Sequence, residues 1–118
     1  MATIRITNLK LRAVIGTNDW ERDCKQDVLI NVEIGFDASK ASESDQIKDT
    51  IDYKALTKRI IQVVEPSNFF LLEKLAKRVL NIIMENPLVK KATVRIDKPL
   101  ALRFADSVSV ELNERREG

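Results

Sequence analysis

Apolar and polar residues alternate along residues 3–15, which predicts a β-strand with one buried face. The alternation changes phase, because Ile4 and Ile6 share one parity whereas Leu9 and Leu11 share the other. A strand that keeps one face buried through such a change needs an extra residue in a β-bulge. We therefore expect a bulge at the Thr-Asn dipeptide between Ile6 and Leu9.

The clearest strand pattern covers residues 28–37, where every second residue is apolar. A polar segment that begins at Gly16 and contains the single tryptophan, Trp20, separates it from the first strand. Two successive strands joined by such a loop favour an antiparallel pair. We expect Trp20 to pack against the protein rather than to stack on a ligand.

Two segments have the spacing of amphipathic helices. In residues 53–65 the apolar positions recur every three or four residues, and either Thr50 or Asp52 can serve as the N-cap. Pro66 ends this helix, and a second pattern of the same period covers residues 70–85. The spacing predicts two helices that each bury one apolar stripe.

Residues 93–110 predict a strand, a tight break at Lys98-Pro99, a short loop and a returning strand. Val94, Ile96 and Lys98 share one parity, so the lysine continues an apolar face at the end of the strand. Two interpretations fit this position. The lysine stem packs while its ammonium reaches water, or the residue is a catalytic amine whose pKa is lowered by partial loss of water.

The predicted order is strand–strand–helix–helix–strand–strand, ββααββ, in a single domain that spans residues 1–118. Strands that are not separated by single helices favour an α+β fold, here a four-stranded antiparallel sheet with two helices on one face. The edges of such a sheet are open, and closing copies of it into a ring would remove them. We therefore expect a homo-oligomeric ring, and a frayed tail over residues 114–118.

Composition narrows the possible chemistry. The chain has 20 Lys+Arg and 18 Asp+Glu, and its net charge of +2 is too small to indicate a nucleic-acid or acidic-membrane partner. It has no histidine and one cysteine, Cys24, which excludes histidine acid–base catalysis, His-based zinc sites and an internal disulfide. We expect no metal or other cofactor. We also expect a cytoplasmic protein, because no signal peptide or membrane-spanning stretch stands out.

Four separated segments resemble the dihydroneopterin aldolase/epimerase family and occur in the same order. They are GTNDWE at residues 16–21, IDYKALT at 51–57, FFLLEKLAK at 69–77 and IDKPLALRFADSVSV at 96–110. The resemblance implies the tunnelling fold, in which such subunits form rings whose strands make a β-barrel. It also implies a pterin substrate, an octamer of two stacked tetrameric rings, and active sites between neighbouring subunits.

The same resemblance implies roles for individual residues. Lys98 matches the essential lysine, Glu21 the loop glutamate near the reacting side chain, and Tyr53 the tyrosine contributed across the subunit interface. Glu73 matches the glutamate that anchors the amino-pyrimidine edge of the pterin, and Leu72 beside it joins the substrate-binding set. Without the resemblance, Glu73 and Glu21 would be solvated charges and Tyr53 a packed aromatic residue.

The resemblance implies retro-aldol chemistry on a dihydropterin side chain, by one of two branches. LALRFADSVSV is similar to the branch that epimerises 7,8-dihydroneopterin triphosphate at C2′ to the monapterin form. GTNDWE is closer to the aldolases of folate biosynthesis, which release glycolaldehyde. A non-catalytic pterin- or purine-binding ring is a third alternative. A triphosphate requires cations, for which Arg103 is the first candidate and Arg22 and Lys25 are weaker ones.

Overall fold

A computed structural model describes residues Met1–Glu117, whose strands form one antiparallel sheet. Each strand pairs with the next along the chain, in the order β1-β2-β3-β4. The strands are β1 (Ala2–Ala13), β2 (Gln26–Phe36), β3 (Val89–Pro99) and β4 (Ser107–Arg115). The predicted four-stranded antiparallel sheet is confirmed.

The segment between β2 and β3 contains the helices α1 (Ser39–Ser44), α2 (Tyr53–Val64) and α3 (Leu72–Met84). The Asp52 side chain caps α2 by accepting hydrogen bonds from the backbone N–H groups of Lys54 and Ala55, both at 3.1 Å. α3 begins two residues later than predicted, because Leu71 keeps an extended backbone (φ −114°, ψ 140°). Among residues 1–117, no helix has the length and hydropathy that crossing a membrane requires.

The longer helices α2 and α3 pack on the same face of the sheet. α3 lies against β3 and β4, and α2 contacts β1 and α3. The predicted apolar stripe of α3 is buried at Leu75, Val79, Ile82 and Ile83. Removing these side chains and the alternate residues of the strands from water is the main favourable contribution to folding. The predicted α+β layer, with two helices on one face, is confirmed.

The opposite face of the sheet is polar in the single chain. Arg5 pairs with Glu33 at 3.0 Å and Arg95 pairs with Asp97 at 2.9 Å. The Arg5–Glu33 pair is solvent-exposed, and such pairs contribute only about 0–1 kcal/mol each, so it hydrates the face without holding the sheet together. β1 and β4 are the edge strands and present backbone groups that another strand can pair with.

The predicted bulge in β1 is present. The β1–β2 register shifts between Ile6 and Leu9, and Asn8 adopts the left-handed region with a φ of 54°. The Asn8 backbone N–H donates to Asn31 Oδ1 at 2.9 Å, and Asn31 Nδ2 donates to Asn8 Oδ1 at 3.1 Å. The two side-chain amides therefore satisfy polar groups where the strand ladder is interrupted.

The strand β3 includes Lys98 and Pro99, the two residues of the predicted break. Lys98 pairs with Val108 and Pro99 pairs with Ser107, and the chain turns at Leu100, which has a φ of 63°. The last residues of β3 are thus part of the sheet ladder rather than of the loop. This pairing holds the Lys98 backbone at a defined position beside β4.

The predicted frayed tail is wrong for its first three residues. Arg115 pairs with Lys91 in the sheet, and the Arg116 backbone N–H donates to the Lys90 carbonyl at 2.8 Å. Arg116 Nε also donates to the Val89 carbonyl at 2.9 Å. The tail is ordered because it continues the β3–β4 ladder and its guanidinium satisfies backbone carbonyls. The last residue, Gly118, lies outside the described residues.

Candidate active site

Lys98 lies at the end of β3 on the side of the sheet that faces the core. Val94 and Ile96, which share this side, are buried, and the Lys98 side chain is 12% exposed. Its Nζ donates a hydrogen bond to Glu21 Oε2 and forms an ion pair with it. Lys98 therefore has the partly desolvated position expected of it, with the Glu21 carboxylate as its partner.

Glu21 is buried, with 3% of its surface exposed, although it follows a run of polar loop residues. A short 3-10 helix, Asp19–Asp23, turns its side chain inward. Glu21 Oε1 accepts from the Asn18 backbone N–H at 3.1 Å, and Oε2 accepts from Gln26 Nε2 at 3.0 Å. Gln26 Nε2 also donates to the Ile15 carbonyl at 2.8 Å, which fixes the orientation of the amide. Both carboxylate oxygens are thus satisfied.

The electrostatics of Glu21 follow from these contacts. Burial by itself raises the pKa of Glu21, because it disfavours the charged form. Hydrogen bonds from Lys98, Gln26 and the preceding backbone outweigh burial and lower this pKa from 4.5 to about 2. The carboxylate is therefore ionised at neutral pH and remains a charged partner for the Lys98 side chain.

Gly16 makes room for the Glu21 carboxylate. Its φ is +129°, a backbone conformation that side-chain-bearing residues rarely adopt. A Cβ at this position would overlap the Glu21 carboxylate. The buried position of the carboxylate therefore depends on a glycine at the end of the preceding segment.

A cavity of 260 Å³ opens beside the Lys98–Glu21 pair. One wall is Ile15, Gly16, Thr17, Asn18 and Glu21, the other is Phe70, Leu71 and Leu72, and Lys98, Ala101 and Val108 complete the lining. Small-molecule pockets usually enclose about 300–1,000 Å³. The single chain therefore provides part of a pocket rather than a complete one.

A larger cavity of 470 Å³ lies between α2, the end of α3 and the start of β3. Its ionisable lining residues, Asp52, Arg59 and Glu85, are exposed, and Arg59 pairs with Glu85 at 3.7 Å. Buried ionisable groups in specific contact mark reaction sites better than volume does. We therefore assign the candidate site to the smaller cavity.

Three of the six site residues inferred from the sequence line this cavity: Lys98, Glu21 and Leu72. Glu73 follows Leu72 in the first turn of α3, and its side chain is exposed. A carboxylate in this first turn gains from the positive end of the helix dipole. Glu73 is therefore next to the cavity without lining it.

The other two inferred residues lie outside the cavity lining of the single chain. Tyr53 is the first residue of α2 and is 53% exposed. Arg103 lies in the exposed β3–β4 loop, with its guanidinium 5.5 Å from the centre of the Phe104 ring. Neither side chain contributes to the cavity of its own chain.

The structure differs from the sequence-based expectation at Trp20 and adds one residue, Gln26, to the site. Trp20 is 62% exposed, so the expectation that it packs is wrong for the single chain, because the turn that buries Glu21 directs its neighbour outward. Gln26 was missed, since nothing in its local pattern indicates a carboxylate partner. The spacing Asn18-x-x-Glu21 is a capping pattern, which would have predicted the hydrogen bond from the Asn18 backbone N–H to the Glu21 carboxylate.

A lysine and a carboxylate in contact at the wall of a cavity form an acid–base pair. Such a pair can move a proton to or from a hydroxyl group of a bound molecule. The neighbouring apolar wall of Phe70, Leu71 and Leu72 is suited to a flat ring system. The arrangement therefore fits proton transfer on the side chain of a flat heterocycle.

Comparison with known proteins agrees with this chemistry. The family model FolB, dihydroneopterin aldolase, matches residues 4–113. The chain is 50% identical over 115 residues to the dihydroneopterin triphosphate 2′-epimerase of Escherichia coli K12, covering 98% of this chain and 96% of that protein. It is 47% identical over 112 residues to the protein of the same name from Pseudomonas aeruginosa, covering 95% and 91%.

A solved structure is similar over almost the whole chain. The structure of E. coli dihydroneopterin aldolase in complex with neopterin matches with a TM-score of 0.92 and 26% identity, covering 97% of this chain and 99% of that one. The similarity confirms the tunnelling fold expected from the sequence motifs.

Proposed function

The chain belongs to the dihydroneopterin aldolase family, and from this premise we propose that it epimerises 7,8-dihydroneopterin triphosphate at C2′, giving 7,8-dihydromonapterin triphosphate. The observation that carries the proposal is a difference in identity. The chain is 47–50% identical to two proteins named dihydroneopterin triphosphate 2′-epimerase, and 26% identical to the aldolase of similar structure.

The substrate supplies its own electron sink, a C6=N5 double bond beside the side chain. When the 2′-hydroxyl loses its proton, the C1′–C2′ bond breaks and its electron pair moves into the C6=N5 system. The fragments are an enamine-like pterin and a phosphorylated aldehyde. Adding the aldehyde back through its other face inverts C2′ and returns the proton, so the reaction needs no oxidant or reductant.

Lys98, in its neutral amine form, takes up the 2′-hydroxyl proton as a general base and returns it as the ammonium, directly or through a water molecule. The contact with Glu21 supports this role, because the carboxylate stabilises the ammonium that forms when the amine accepts the proton. Tyr53 of a neighbouring chain assists the proton transfers at the pterin end of the broken bond. The three residues form the catalytic set.

Glu73 binds the amino-pyrimidine edge of the pterin, and Leu72 packs against the ring. The edge presents parallel N–H groups, which match the two oxygens of a carboxylate. Glu73 lies in the first turn of α3, next to the apolar wall of the cavity. The wall and the carboxylate would then hold the ring in one orientation while the side chain reacts at Lys98.

Arg103 is the proposed contact for the triphosphate. It lies five residues past Lys98 in an exposed loop, where a long chain of phosphates leaving the cavity can meet it. A guanidinium recognises phosphate oxygens through paired hydrogen bonds. Changing Arg103 to Ala is expected to raise KM for the triphosphate and leave KM for unphosphorylated dihydroneopterin unchanged.

The functional unit is proposed to be a homo-octamer of two stacked tetrameric rings. Two observations support assembly: the single-chain cavity is small, and large apolar side chains are exposed around it. Phe70 is 60% exposed, Leu102 58% and Phe104 95%. Such residues are commonly buried at interfaces. A cytoplasmic location is also proposed, in line with a single cysteine in the chain.

A second candidate activity is dihydroneopterin aldolase, which releases the aldehyde and leaves 6-hydroxymethyl-7,8-dihydropterin. The family model carries the aldolase name, and the chain superimposes closely on an aldolase bound to neopterin. Both activities share the bond cleavage and differ in the fate of the aldehyde. The relative rates of return and escape of the aldehyde decide between them.

The test offers dihydroneopterin triphosphate and dihydroneopterin separately at equal concentration, with chiral chromatography of the products. Conversion of the triphosphate to its 2′ epimer, with little hydroxymethylpterin, supports the epimerase. Faster aldehyde release from the unphosphorylated compound would make the protein an aldolase. If the protein binds both pterins but converts neither, it is a non-catalytic pterin-binding ring.

The role of Lys98 is tested in the same assay with Lys98→Ala. Removing a general acid–base group is expected to lower kcat by about 10²- to 10⁴-fold. Lys90→Ala, which removes an exposed lysine of the same strand, is the matched control and should leave kcat unchanged. Turnover by Lys98→Ala at the wild-type rate would refute the assignment of Lys98.

A further inference from the structure

Arg22 makes an unusual number of contacts for a loop residue. One guanidinium nitrogen donates to the carbonyls of Gly16 and Phe69, both at 3.0 Å, and the other donates to the Asn68 carbonyl. The guanidinium carbon also lies 3.9 Å from the centre of the Phe70 ring. A planar guanidinium can donate several hydrogen bonds and stack on an aromatic ring at the same time.

These contacts join two segments that are distant in the sequence. Gly16 begins the loop that carries Glu21 and forms one wall of the cavity. Asn68, Phe69 and Phe70 precede α3 and lead into the opposite wall. Arg22 lies behind both walls and outside the cavity lining, so its charge is directed at backbone carbonyls rather than at a bound molecule. It therefore joins the two walls, together with the hydrogen bond that the Gly16 backbone N–H donates to the Phe69 carbonyl at 3.4 Å.

We propose that Arg22 is a positioning residue that keeps the two walls together while the aldehyde fragment is bound, and thereby favours epimerisation over aldehyde release. This proposal rests on the proposed function. After C1′–C2′ cleavage the aldehyde either adds back or escapes, and escape requires a gap between the walls. Arg22 opposes that gap by bonding to both segments.

The same contacts explain why Arg22 does not serve as a phosphate ligand. Three of its five N–H groups donate to backbone carbonyls, and rebinding to phosphate would remove these donors from the Gly16 and Asn68 carbonyls. A lysine at this position has a single nitrogen and no planar face. It can donate to carbonyls of both segments but cannot also reach the Asn68 carbonyl from a second nitrogen or stack a planar group on Phe70.

The test measures the ratio of hydroxymethylpterin to epimer formed from dihydroneopterin triphosphate. Arg22→Met keeps a long stem against Phe70 but removes the donors, and Arg22→Lys keeps the charge. We expect the ratio to rise about tenfold in Arg22→Met, which corresponds to about 1.4 kcal/mol in the partition, and to rise less in Arg22→Lys. Lys48→Met, which removes an exposed charge outside this cavity, should leave the ratio unchanged.

A second measurement does not depend on turnover. The dissociation rate of neopterin, followed by its fluorescence, should increase in Arg22→Met if the walls separate more readily. An unchanged product ratio and an unchanged dissociation rate, in variants that fold as judged by circular dichroism, would refute the role of Arg22. Absence of turnover in the wild-type protein would refute the proposed function. The neopterin dissociation rates alone would then test whether Arg22 holds the walls together.

Discussion

A charged group in the interior needs a partner for each of its polar atoms, because an uncompensated buried charge costs several kcal/mol. Glu21 meets this requirement through Lys98, Gln26 and the Asn18 backbone. Within residues 1–117, no buried side-chain nitrogen or oxygen lacks a hydrogen-bond partner. The geometry of the site is therefore sensitive to small changes around the Glu21 carboxylate.

Gly16→Ala is the first prediction at this scale. The added Cβ would overlap the Glu21 carboxylate, and alanine is strained at a φ of +129°. We expect the free energy of unfolding to fall by about 1–3 kcal/mol and epimerase activity to fall more than tenfold, because strain and the displaced carboxylate act together. Urea denaturation and the epimerisation assay measure the two effects.

Gly35→Ala is the matched control for this prediction. Gly35 is also buried, but its φ is not in the left-handed region, and an added Cβ would lie 2.7 Å from Cγ of Lys91, a flexible stem that can move. Activity should be retained and the loss of stability should be smaller. Equal losses in the two variants would show that the Glu21 contact is not the cause.

The depressed pKa of Glu21 predicts a pH dependence of stability. Its pKa of about 2 in the folded protein lies below the ordinary 4.5, so the unfolded chain binds more protons between these values. The stability that the carboxylate contributes is complete above pH 4.5 and is lost as the pH falls to about 2. Glu21→Gln should therefore flatten the decrease of Tm across this window, as measured by calorimetry.

Two further carboxylates, Glu43 and Asp37, serve as comparisons for the assignment of this pH dependence to Glu21. Glu43→Gln removes an exposed carboxylate of α1 and should leave the pH dependence as in the wild type. Asp37, whose pKa is lowered by hydrogen bonds from the Ser39 side chain and backbone, contributes its own slope in every variant. A Glu21→Gln protein with the full wild-type slope would mean that Glu21 is not the group that titrates.

At the scale of elements, the bulge in β1 keeps a single face of the strand in the core. Two residues, Thr7 and Asn8, are placed where the β1–β2 ladder is interrupted, so the apolar residues before and after them lie on the same side. The amide pair between Asn8 and Asn31 holds the interruption in place. Without the bulge, the residues on one side of it would be shifted by one position, and their apolar side chains would face solvent.

Asn8→Ala is the prediction for this element. Alanine is disfavoured in the left-handed region and lacks the amide, so we expect a loss of about 1–2 kcal/mol in the free energy of unfolding. Asn8→Gly adopts the same φ without strain and keeps the backbone donor to Asn31, so its loss should be smaller. Urea unfolding of both variants measures the difference. A glycine variant less stable than the alanine variant would contradict the left-handed conformation.

Local sequence patterns predict some features of the helices and strands but not others. The strand alternation, the bulge, the α2 cap and the α3 stripe follow from the order of residues, because each depends on neighbours within a few positions. The start of α3 and the ordered conformation of residues 114–116 do not follow from such local patterns. Arg116 is ordered by carbonyls of Val89 and Lys90, and no local signal in the tail specifies those partners.

At the scale of the whole molecule, the proposed site is shared between chains, and mixing inactive variants tests this. Lys98→Ala and Tyr53→Ala should each be inactive alone. The two variants are then mixed in equal amounts, dissociated and reassembled. About a quarter of the sites would combine an intact Lys98 of one chain with an intact Tyr53 of its neighbour. Epimerase activity should therefore return to about a quarter of the wild-type value per site.

The mixing experiment has a clear contrary outcome. If Lys98 and Tyr53 of the same chain served one site, every mixed oligomer would remain inactive. Light scattering on the same samples gives the mass of the assembly, and a mass equal to one chain at micromolar concentration would exclude the ring. Wild-type protein taken through the same dissociation and reassembly controls for losses during the procedure.

The class of fold, the element order and the family could all be predicted from the order of residues, because the hydrophobic period, the caps and the four motifs are local properties of the chain. The sequence also indicated Lys98 at the end of an apolar strand face. The family motif indicated Glu21, but its burial against Lys98 and the contacts of Gln26 and Arg22 around it were visible only in the tertiary structure. These contacts join residues far apart in the sequence, and their partners are specified by packing rather than by any local pattern.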